Sequence, residues 1–167
     1  MEFSMHFTEK ERSYLQEFKA QEELCVQKYD KASKEACDPE LRDLFTAIKK
    51  EEQQHLDTVE QLLGGTMPQM TGGRPQGVQV GGQPVRSGMT TTETSGCSAQ
   101  DVARDKYLAS DTLGTEKHAS AGYNTGIFEF RDEQVRNIIN HLQTEEQEHG
   151  KKIYDYMQKH GMYQTAG

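Results

Sequence analysis

The chain has 167 residues, of which 33% are hydrophobic and none is tryptophan, and its mean hydropathy is -0.90. This length suits one domain, and so few apolar residues favour amphipathic helices over a parallel sheet covered on both faces. The net charge of -8, without a basic patch, argues against nucleic acid or an anionic membrane as a partner. Because no segment approaches the ~20 apolar residues of a membrane span and the first residues lack the apolar core of a signal peptide, we expect an intracellular product without membrane insertion.

The first half of the chain predicts a helical hairpin. Thr8 and Glu11 have the spacing of a capping box, which predicts a helix over about 9–36. Asp38 before Pro39 is typical of an N-cap followed by proline in the first turn, and Gly64 marks the end of a second helix over about 39–63.

Residues 64–99 are rich in Gly, Gln, Thr and Pro and contain few large apolar residues, which predicts a flexible linker. Cys97 lies within it. Together with Cys25 and Cys37 it forms neither an even framework nor a zinc-binding spacing, so we expect no disulfide scaffold. One intermolecular bridge is left open.

The second half predicts another helical hairpin, over about 100–131 and 133–160, with Asp132 as an N-cap and Gly161 at the end. A gapless offset of 94 residues pairs the motif Glu-Glu-Gln-x-His at 51–55 with the same motif at 145–149. Two repeated hairpins joined by one long crossover predict an all-α, four-helix bundle within a single domain over 1–167.

Each predicted helix carries one carboxylate on its apolar stripe, and two of these are followed by a histidine three residues later. Four buried carboxylates at one level would repel each other, and two divalent cations would resolve that conflict. One Glu from each of two helices and Glu-x-x-His from each of the other two is the ligand set of dimetal carboxylate bundles. The predicted metal ligands are Glu22, Glu52, His55, Glu116, Glu146 and His149.

Oxygen-rich ligation with one nitrogen for each ion favours iron or manganese as the two divalent metals, with zinc as a substitute in purified material. The competing interpretation is a degenerate bundle whose buried polar groups bond to each other and to water.

The sequence also allows predictions for residues near the metal ligands. Tyr29 and Tyr123 either pack in the core or donate hydrogen bonds across the bundle, Tyr29 to Glu116 and Tyr123 to Glu22, and so orient the ligands. Cys25 is expected to be a small core residue. Glu51 and Glu145 are expected at the solvated rim. The surface is the expected place for the other histidines, His6, His118, His141 and His160.

The ligand set resembles the ferritin-like superfamily, which includes ferritins, rubrerythrins and manganese catalases, and the tyrosine spacing resembles that near the ferritin ferroxidase centre. More specifically, residues 115–163, which end in IYDYMQKHGMY, are similar to the coat F domain of bacterial spore coat proteins. The segment DPELRDLFTAIKKEEQQH at 38–55 suits the same family. This resemblance implies a ferritin-like protein of endospore-forming bacteria, made in the mother-cell cytoplasm and deposited in the spore coat among other coat proteins.

Two principal functions therefore stay open. The first is a structural coat protein that holds metal, for which a homo-oligomer is left open. The second is a dimetal oxidoreductase acting on dioxygen or peroxide, in which Glu52 and Glu146 bridge or chelate and Glu22 and Glu116 are terminal ligands. Metal storage is a third, weaker reading. Small or apolar neighbours predict a tight, closed site and favour the structural function; these are Cys25, Ile48, Ala119 and Leu142.

Overall fold

The computed structural model describes residues 5–69 and 96–163. These ranges contain four long helices and no strand, so the described chain is all-α, as predicted. The helices are α1 (Glu9–Glu35), α2 (Pro39–Leu63), α3 (Ala99–Gly126) and α4 (Glu133–Lys159), with a 3-10 turn at Ile127–Glu129 between the last two. Of the predicted linker, residues 70–95 lie outside the described ranges.

The predicted helix starts are confirmed by their side-chain caps. Thr8 and Glu11 form the reciprocal capping box of α1, and the side chain of Asp38 accepts from the Glu40 N–H at the start of α2. Asp132 caps α4 in the same way. A second capping box, Ser98 with Asp101, starts α3 and was not predicted.

The third helix ends earlier than predicted. It stops at Gly126, where a Cβ atom would lie only 2.4 Å from Cζ of Phe18 on α1. The 3-10 turn that follows brings Phe130 into the core in an extended conformation. A continuous helix to residue 131 was therefore wrong, because the chain tightens into a 3-10 turn after Gly126 and becomes extended at Phe130.

The helices pair as two hairpins, α1 with α2 and α3 with α4, and contacts of α1 with α3 and of α2 with α4 join the hairpins into a bundle. The apolar core forms two clusters, one containing Tyr29, Phe45 and Ile153 and the other containing Phe18 and Leu142. Along every helix a short polar segment separates the two clusters. None of the described helices is long and apolar enough to cross a membrane.

A buried carboxylate ties each hairpin to the turn of the other. Glu11 of α1 accepts from the backbone N–H of Arg131, between α3 and α4, at 3.0 Å. Asp105 of α3 accepts from the backbone N–H groups of Cys37 and Asp38, between α1 and α2, at 2.8 and 2.9 Å. Residues 11 and 105 are 94 positions apart, which is the offset of the repeated motif.

The expectation that the chain holds no internal disulfide was wrong. Cys37 and Cys97, 60 residues apart, are disulfide-bonded, whereas Cys25 is free and buried, as expected. The bond forms because Asp105 holds the turn between α1 and α2 against α3, and Cys97 directly precedes the cap of that helix. This proximity depends on the packing of distant segments, which cysteine spacing does not show.

Candidate metal centre

Four carboxylates and two imidazoles converge at the middle of the bundle, between the two apolar clusters. All six side chains belong to residues that are at most 2% exposed. They are the six that were predicted as metal ligands, and we refer to them as the carboxylate centre: Glu22, Glu52, His55, Glu116, Glu146 and His149.

Helical spacing explains the position of the Glu-x-x-His pairs. Glu52 and His55 lie on one face of α2 because residues three apart project from the same side of a helix, and Glu146 and His149 do the same on α4. Apolar residues bury each pair from both sides along its helix, for example Ile48 and Val59 on α2.

Each imidazole presents its Nδ1 atom to three carboxylates. The Nδ1 atom of His55 lies 2.9 Å from Glu146 Oε1, 3.3 Å from Glu52 Oε2 and 3.9 Å from Glu22 Oε1. The Nδ1 atom of His149 lies 3.0 Å from Glu52 Oε1, 3.6 Å from Glu116 Oε1 and 3.8 Å from Glu146 Oε2.

These distances define two groups of ligand atoms, in each of which the atoms lie within 4.8 Å of one another. One group consists of Glu22, Glu52, His55 and Glu146, and the other of Glu52, Glu116, Glu146 and His149. The groups share Glu52 and Glu146. Either group could hold a metal ion.

Two buried tyrosines bind the carboxylates that are not shared. The Tyr29 hydroxyl donates to Glu116, and the Tyr123 hydroxyl donates to Glu22. These are the cross-bundle hydrogen bonds that the sequence analysis considered beside simple core packing. Each bond joins α1 to α3, so the tyrosine of one helix holds the carboxylate of the other.

Glu51 and Glu145 lie at the rim of the centre, as expected, and each is close to an imidazole. Their side chains are 37% and 24% exposed, and the Glu51 carboxylate is within hydrogen-bonding distance of an outer imidazole nitrogen, whereas that of Glu145 is not. Glu51 is hydrogen-bonded to Nε2 of His149, and Glu145 Oε1 lies 3.6 Å from Nε2 of His55. The Glu51 carboxylate favours a proton on Nε2 of His149, which leaves the Nδ1 lone pair of that imidazole directed at the centre. Nε2 of His55 has no hydrogen-bond partner among the described residues.

The positions of Glu51 and Glu145 could have been inferred from the sequence, because each directly precedes the glutamate of a Glu-x-x-His motif. His141, predicted at the surface, is partly exposed and also contacts Glu145.

Without a cation, protons bound to carboxyl and imidazole groups offset the negative charge of the centre. Burial raises the pKa of Glu22, and burial, opposed by the hydrogen bond from His149, raises the pKa of Glu116 to about 10. Burial would also raise the pKa values of Glu52 and Glu146, but hydrogen bonds from the two imidazoles outweigh it and lower both. Burial lowers the imidazole pKa values, yet the surrounding carboxylates raise both of them above the ordinary range.

Protons do not satisfy every acceptor in the centre. Within the described residues, one carboxylate oxygen of each of Glu22, Glu52, Glu116 and Glu146 is buried without a hydrogen-bond partner. Each buried, unsatisfied polar group costs roughly 1–3 kcal/mol. Carboxylate oxygens combined with imidazole nitrogen form a donor set that suits a divalent cation, so the residues present fit a metal site.

A groove between α3 and α4 reaches the centre from one side. Its volume is about 700 Å³, and Glu116 and Glu146 are among the residues that line it. The neighbours expected to close the site, such as Cys25 and Ile48, are indeed buried. The ligand residues themselves are at most 2% exposed, which agrees with the expected closed site, and the groove that lies against two of them was not predicted.

A third cluster of ligand atoms lies at the end of the bundle and consists of Asp38, Glu40 and His160. Its carboxylates already have partners: Tyr156 donates to Asp38 at 2.7 Å, and Lys159 donates to Glu40 at 3.0 Å. A partly exposed cluster that contains a lysine ammonium group is a salt-bridge network rather than a cation site.

Comparison with known proteins gives a family match in the second hairpin. Residues 104–166 match the family model described as the Coat F domain. Neither the curated proteins nor the solved structures contain a match to the chain. The matched segment includes most of α3 and all of α4, whereas the similarity of residues 38–55 to the same family stays a prediction. The similarity to the Coat F domain family thus extends over residues 104–166 of this chain.

Proposed function

We propose that this protein is a component of the bacterial spore coat whose ferritin-like four-helix bundle binds two divalent metal ions, iron or manganese. The Coat F domain supports the coat assignment, with other coat proteins as partners and the mother-cell cytoplasm as the place of synthesis. One observation carries the metal assignment: two groups of buried ligand atoms share Glu52 and Glu146, and four of the carboxylate oxygens have no partner among the described residues.

Charge supports two ions rather than one. Four ionised carboxylates carry a charge that two divalent cations neutralise, whereas a single ion would leave an excess negative charge in a buried site. Glu52 and Glu146 would serve both ions, since each belongs to both groups of ligand atoms. Glu22 and Glu116 would be terminal ligands, and His55 and His149 would each bind one ion.

The residues around the centre restrict the movement of these ligands. Tyr29 and Tyr123 orient the terminal carboxylates through hydrogen bonds, while Glu51 orients the His149 imidazole from outside. Each hairpin makes equivalent contacts to the other: a tyrosine to a carboxylate in the centre, and a carboxylate, Glu11 or Asp105, to the opposite turn. These reciprocal contacts support an internal repeat within a single domain.

A dimetal oxidoreductase is the second candidate function, and the groove that reaches Glu116 and Glu146 favours it. Bound iron or manganese would supply electron transfer to dioxygen or peroxide. The chain itself contributes a site that the apolar clusters and the helices bury, with the groove directly against Glu116 and Glu146.

The metal assignment is tested by elemental mass spectrometry on protein produced without an affinity tag in medium supplemented with iron and manganese. We expect about two ions for each chain, and loss of both in the double variant His55→Ala/His149→Ala. His118→Ala is the matched control, because His118 is exposed on α3 and away from the centre. Fewer than about 0.1 ion for each chain in the wild type would contradict the assignment.

The same samples separate the two candidate functions. Peroxide consumption that follows the metal content across these variants would favour the oxidoreductase, and no consumption by fully loaded protein would favour a metallated scaffold. The coat assignment has its own test, which is the position of a fluorescent fusion in a sporulating host. A ring around the spore is expected, and a diffuse signal in the mother cell would contradict the assignment.

A further inference from the structure

The groove between α3 and α4 has the size and composition of a small-molecule site. Its volume of about 700 Å³ lies within the range of roughly 300–1,000 Å³ that is typical of ligand pockets. The buried residues Leu113, Glu116 and Glu146 form its floor, and exposed residues of both helices form its rim. A smaller cavity of about 330 Å³ shares Leu113 with it and extends the groove along α3.

A single glycine keeps the groove open. A Cβ atom at Gly150 would lie 3.7 Å from Leu113 Cδ1 and 3.8 Å from Glu116 Cβ, so any side chain here would start at the floor of the groove. Ninety-four residues earlier, the corresponding position of the first hairpin is Leu56, which is buried and 9% exposed. A leucine at residue 150 would therefore fill the space above Glu116.

Two lysines lie on the rim of the groove although the chain carries a net charge of -8. Lys117 on α3 and Lys151 on α4 line it from opposite sides and both are exposed, and Lys151 also pairs with Asp155 on its own helix. Tyr154 and Tyr163, which pack edge to face with ring centroids 4.9 Å apart, form an aromatic wall. Two ammonium groups at the rim and an aromatic wall complement a ligand that has an apolar body and one anionic group, provided that the anionic group stays at the rim and away from the buried carboxylates of the floor.

We propose that the α3–α4 groove binds a small molecule with an aromatic or aliphatic body and a single anionic group such as a carboxylate or sulfonate. The anionic group pairs with Lys117 and Lys151, and the body packs on Leu113 and Tyr154. Its binding does not depend on metal. Such a molecule would lie against Glu116 and Glu146 and could be a substrate of the carboxylate centre. That role, unlike binding itself, rests on the function proposed above.

Two fluorescent probes that differ in one group test the proposal. Anilinonaphthalene sulfonate has the required anionic group, and N-phenylnaphthylamine is its neutral counterpart. In titrations of the full-length protein we expect one sulfonate probe for each chain. The double variant Lys117→Gln/Lys151→Gln should bind it about tenfold more weakly but should bind the neutral probe as the wild type does.

Matched lysines on the same helices provide the charge control. Lys106 and Lys152 are exposed and outside the groove, so Lys106→Gln/Lys152→Gln should leave the affinity for both probes unchanged. An equal loss in this control would contradict the proposal, because it would show that the sulfonate responds to overall charge alone.

Gly150→Leu tests the shape of the site. It should abolish binding of both probes, while Gly150→Ala should keep it, and near-ultraviolet circular dichroism should show native packing in both variants. Undiminished binding of the sulfonate probe by folded Gly150→Leu protein would overturn the proposal.

Metal content measured on the same samples separates this proposal from the function proposed above. Gly150→Leu should keep its metal and lose the probe, and Glu52→Gln should do the reverse. A wild type that binds the probe without any metal would support the groove and refute the metal centre.

Discussion

The two hairpins supply the same ligands to the carboxylate centre but differ in the residues beside them. Next to the first Glu-x-x-His motif stands Leu56, which is buried, and next to the second stands Gly150, which lines the groove. The segment after Glu116 is also smaller than the segment after Glu22, since Ala-Ser-Ala at 119–121 corresponds to Cys-Val-Gln at 25–27. Ligand positions thus follow from the apolar stripes of the helices, whereas access to the centre depends on residue size at a few flanking positions.

The turns of the two hairpins show a second difference. Each turn is held by a buried carboxylate of the other hairpin, but the further attachment is covalent for one turn and ionic for the other. Cys37 of the first turn is disulfide-bonded to Cys97, while Arg131 of the second turn binds Glu11 through its guanidinium group. The two ends of the bundle should therefore respond to different conditions, one to reductant and the other to acid.

The largest expected effect concerns the shared and terminal ligands. Glu52→Gln and Glu146→Gln should each lower the metal content from about two ions to fewer than about 0.5, because each residue belongs to both ligand groups. Glu22→Gln and Glu116→Gln should each leave about one ion. Elemental analysis checks these values, with Glu23→Gln on the exposed face of α1 as the control.

Metal also stabilises the folded state, by about 4 kcal/mol at a free metal concentration 1,000 times the Kd. Chelation should consequently lower the Tm of the wild type and leave that of Glu52→Gln unchanged. If Glu22→Gln, Glu52→Gln, Glu116→Gln and Glu146→Gln each lost only one ion, neither Glu52 nor Glu146 would bind both ions, which would contradict the shared-ligand arrangement.

Loss of the disulfide should have the next largest effect. The bond closes a separation of 60 residues, for which the chain-entropy model gives a stabilisation of about 4 kcal/mol. Cys37→Ser/Cys97→Ser should lower the free energy of unfolding in urea by about 3–4 kcal/mol. Reductant should produce the same loss in the wild type and none in the variant; any further loss in the variant would mean that another group responds to reductant.

Alanine at the two positions flanking the motifs should have effects of opposite sign. Leu56→Ala removes a buried side chain and should cost about 2–3 kcal/mol, towards the lower end for such substitutions because Leu56 is not fully buried. Gly150→Ala should stabilise the protein by up to about 1 kcal/mol, since alanine is the better helix former and its Cβ meets only ordinary contacts. Urea unfolding measures both changes, and a destabilising Gly150→Ala would mean that the groove side of α4 tolerates no side chain.

The smallest effect is the acid response of the Glu11 end. Burial would raise the pKa of Glu11, but hydrogen bonds from Arg131 and the Thr8 backbone outweigh it and lower the pKa to about 2. Because the folded-state pKa is depressed, this stabilisation is complete above the ordinary carboxylate pKa and is lost as the pH falls towards 2. Glu11→Gln should lower the Tm at neutral pH by about 3 °C and flatten its decline between about pH 4.5 and 2.

Glu9 provides the control for the acid response. It lies in the same first turn of α1 but is exposed, so Glu9→Gln should keep the pH profile of the wild type. An unchanged profile in Glu11→Gln would assign the acid response to other groups.

Local rules were sufficient for much of this architecture. The caps at Thr8, Asp38 and Asp132 and the burial of Glu22 and Glu146 follow from side-chain chemistry and helical period, which act within a few residues of the chain. The pairing of each tyrosine with the carboxylate of the opposite helix was also accessible, because the repeat relates the two halves.

Features that depend on contacts between helices were not accessible. The close contact of Gly126 with Phe18, which leaves no room for a side chain, depends on how α1 packs against α3, and the Cys37–Cys97 bond depends on the position of Asp105. Glu51 has the sequence signature of a surface residue, and only the packing of α2 against α4 brings it to His149. The groove could not be predicted from the sequence for the same reason, because the effect of Gly150 depends on the residues of α3 that face it.

Anomalous diffraction from a crystal of the metal-loaded protein tests the central claim most directly. Data collected at the absorption edges of iron and manganese locate each ion and identify it. Two peaks inside the bundle, one beside His55 and one beside His149 with Glu52 and Glu146 in contact with both, are the predicted result. A single peak at the bundle end beside His160, or none in the carboxylate centre of a crystal soaked in either metal, would contradict the account.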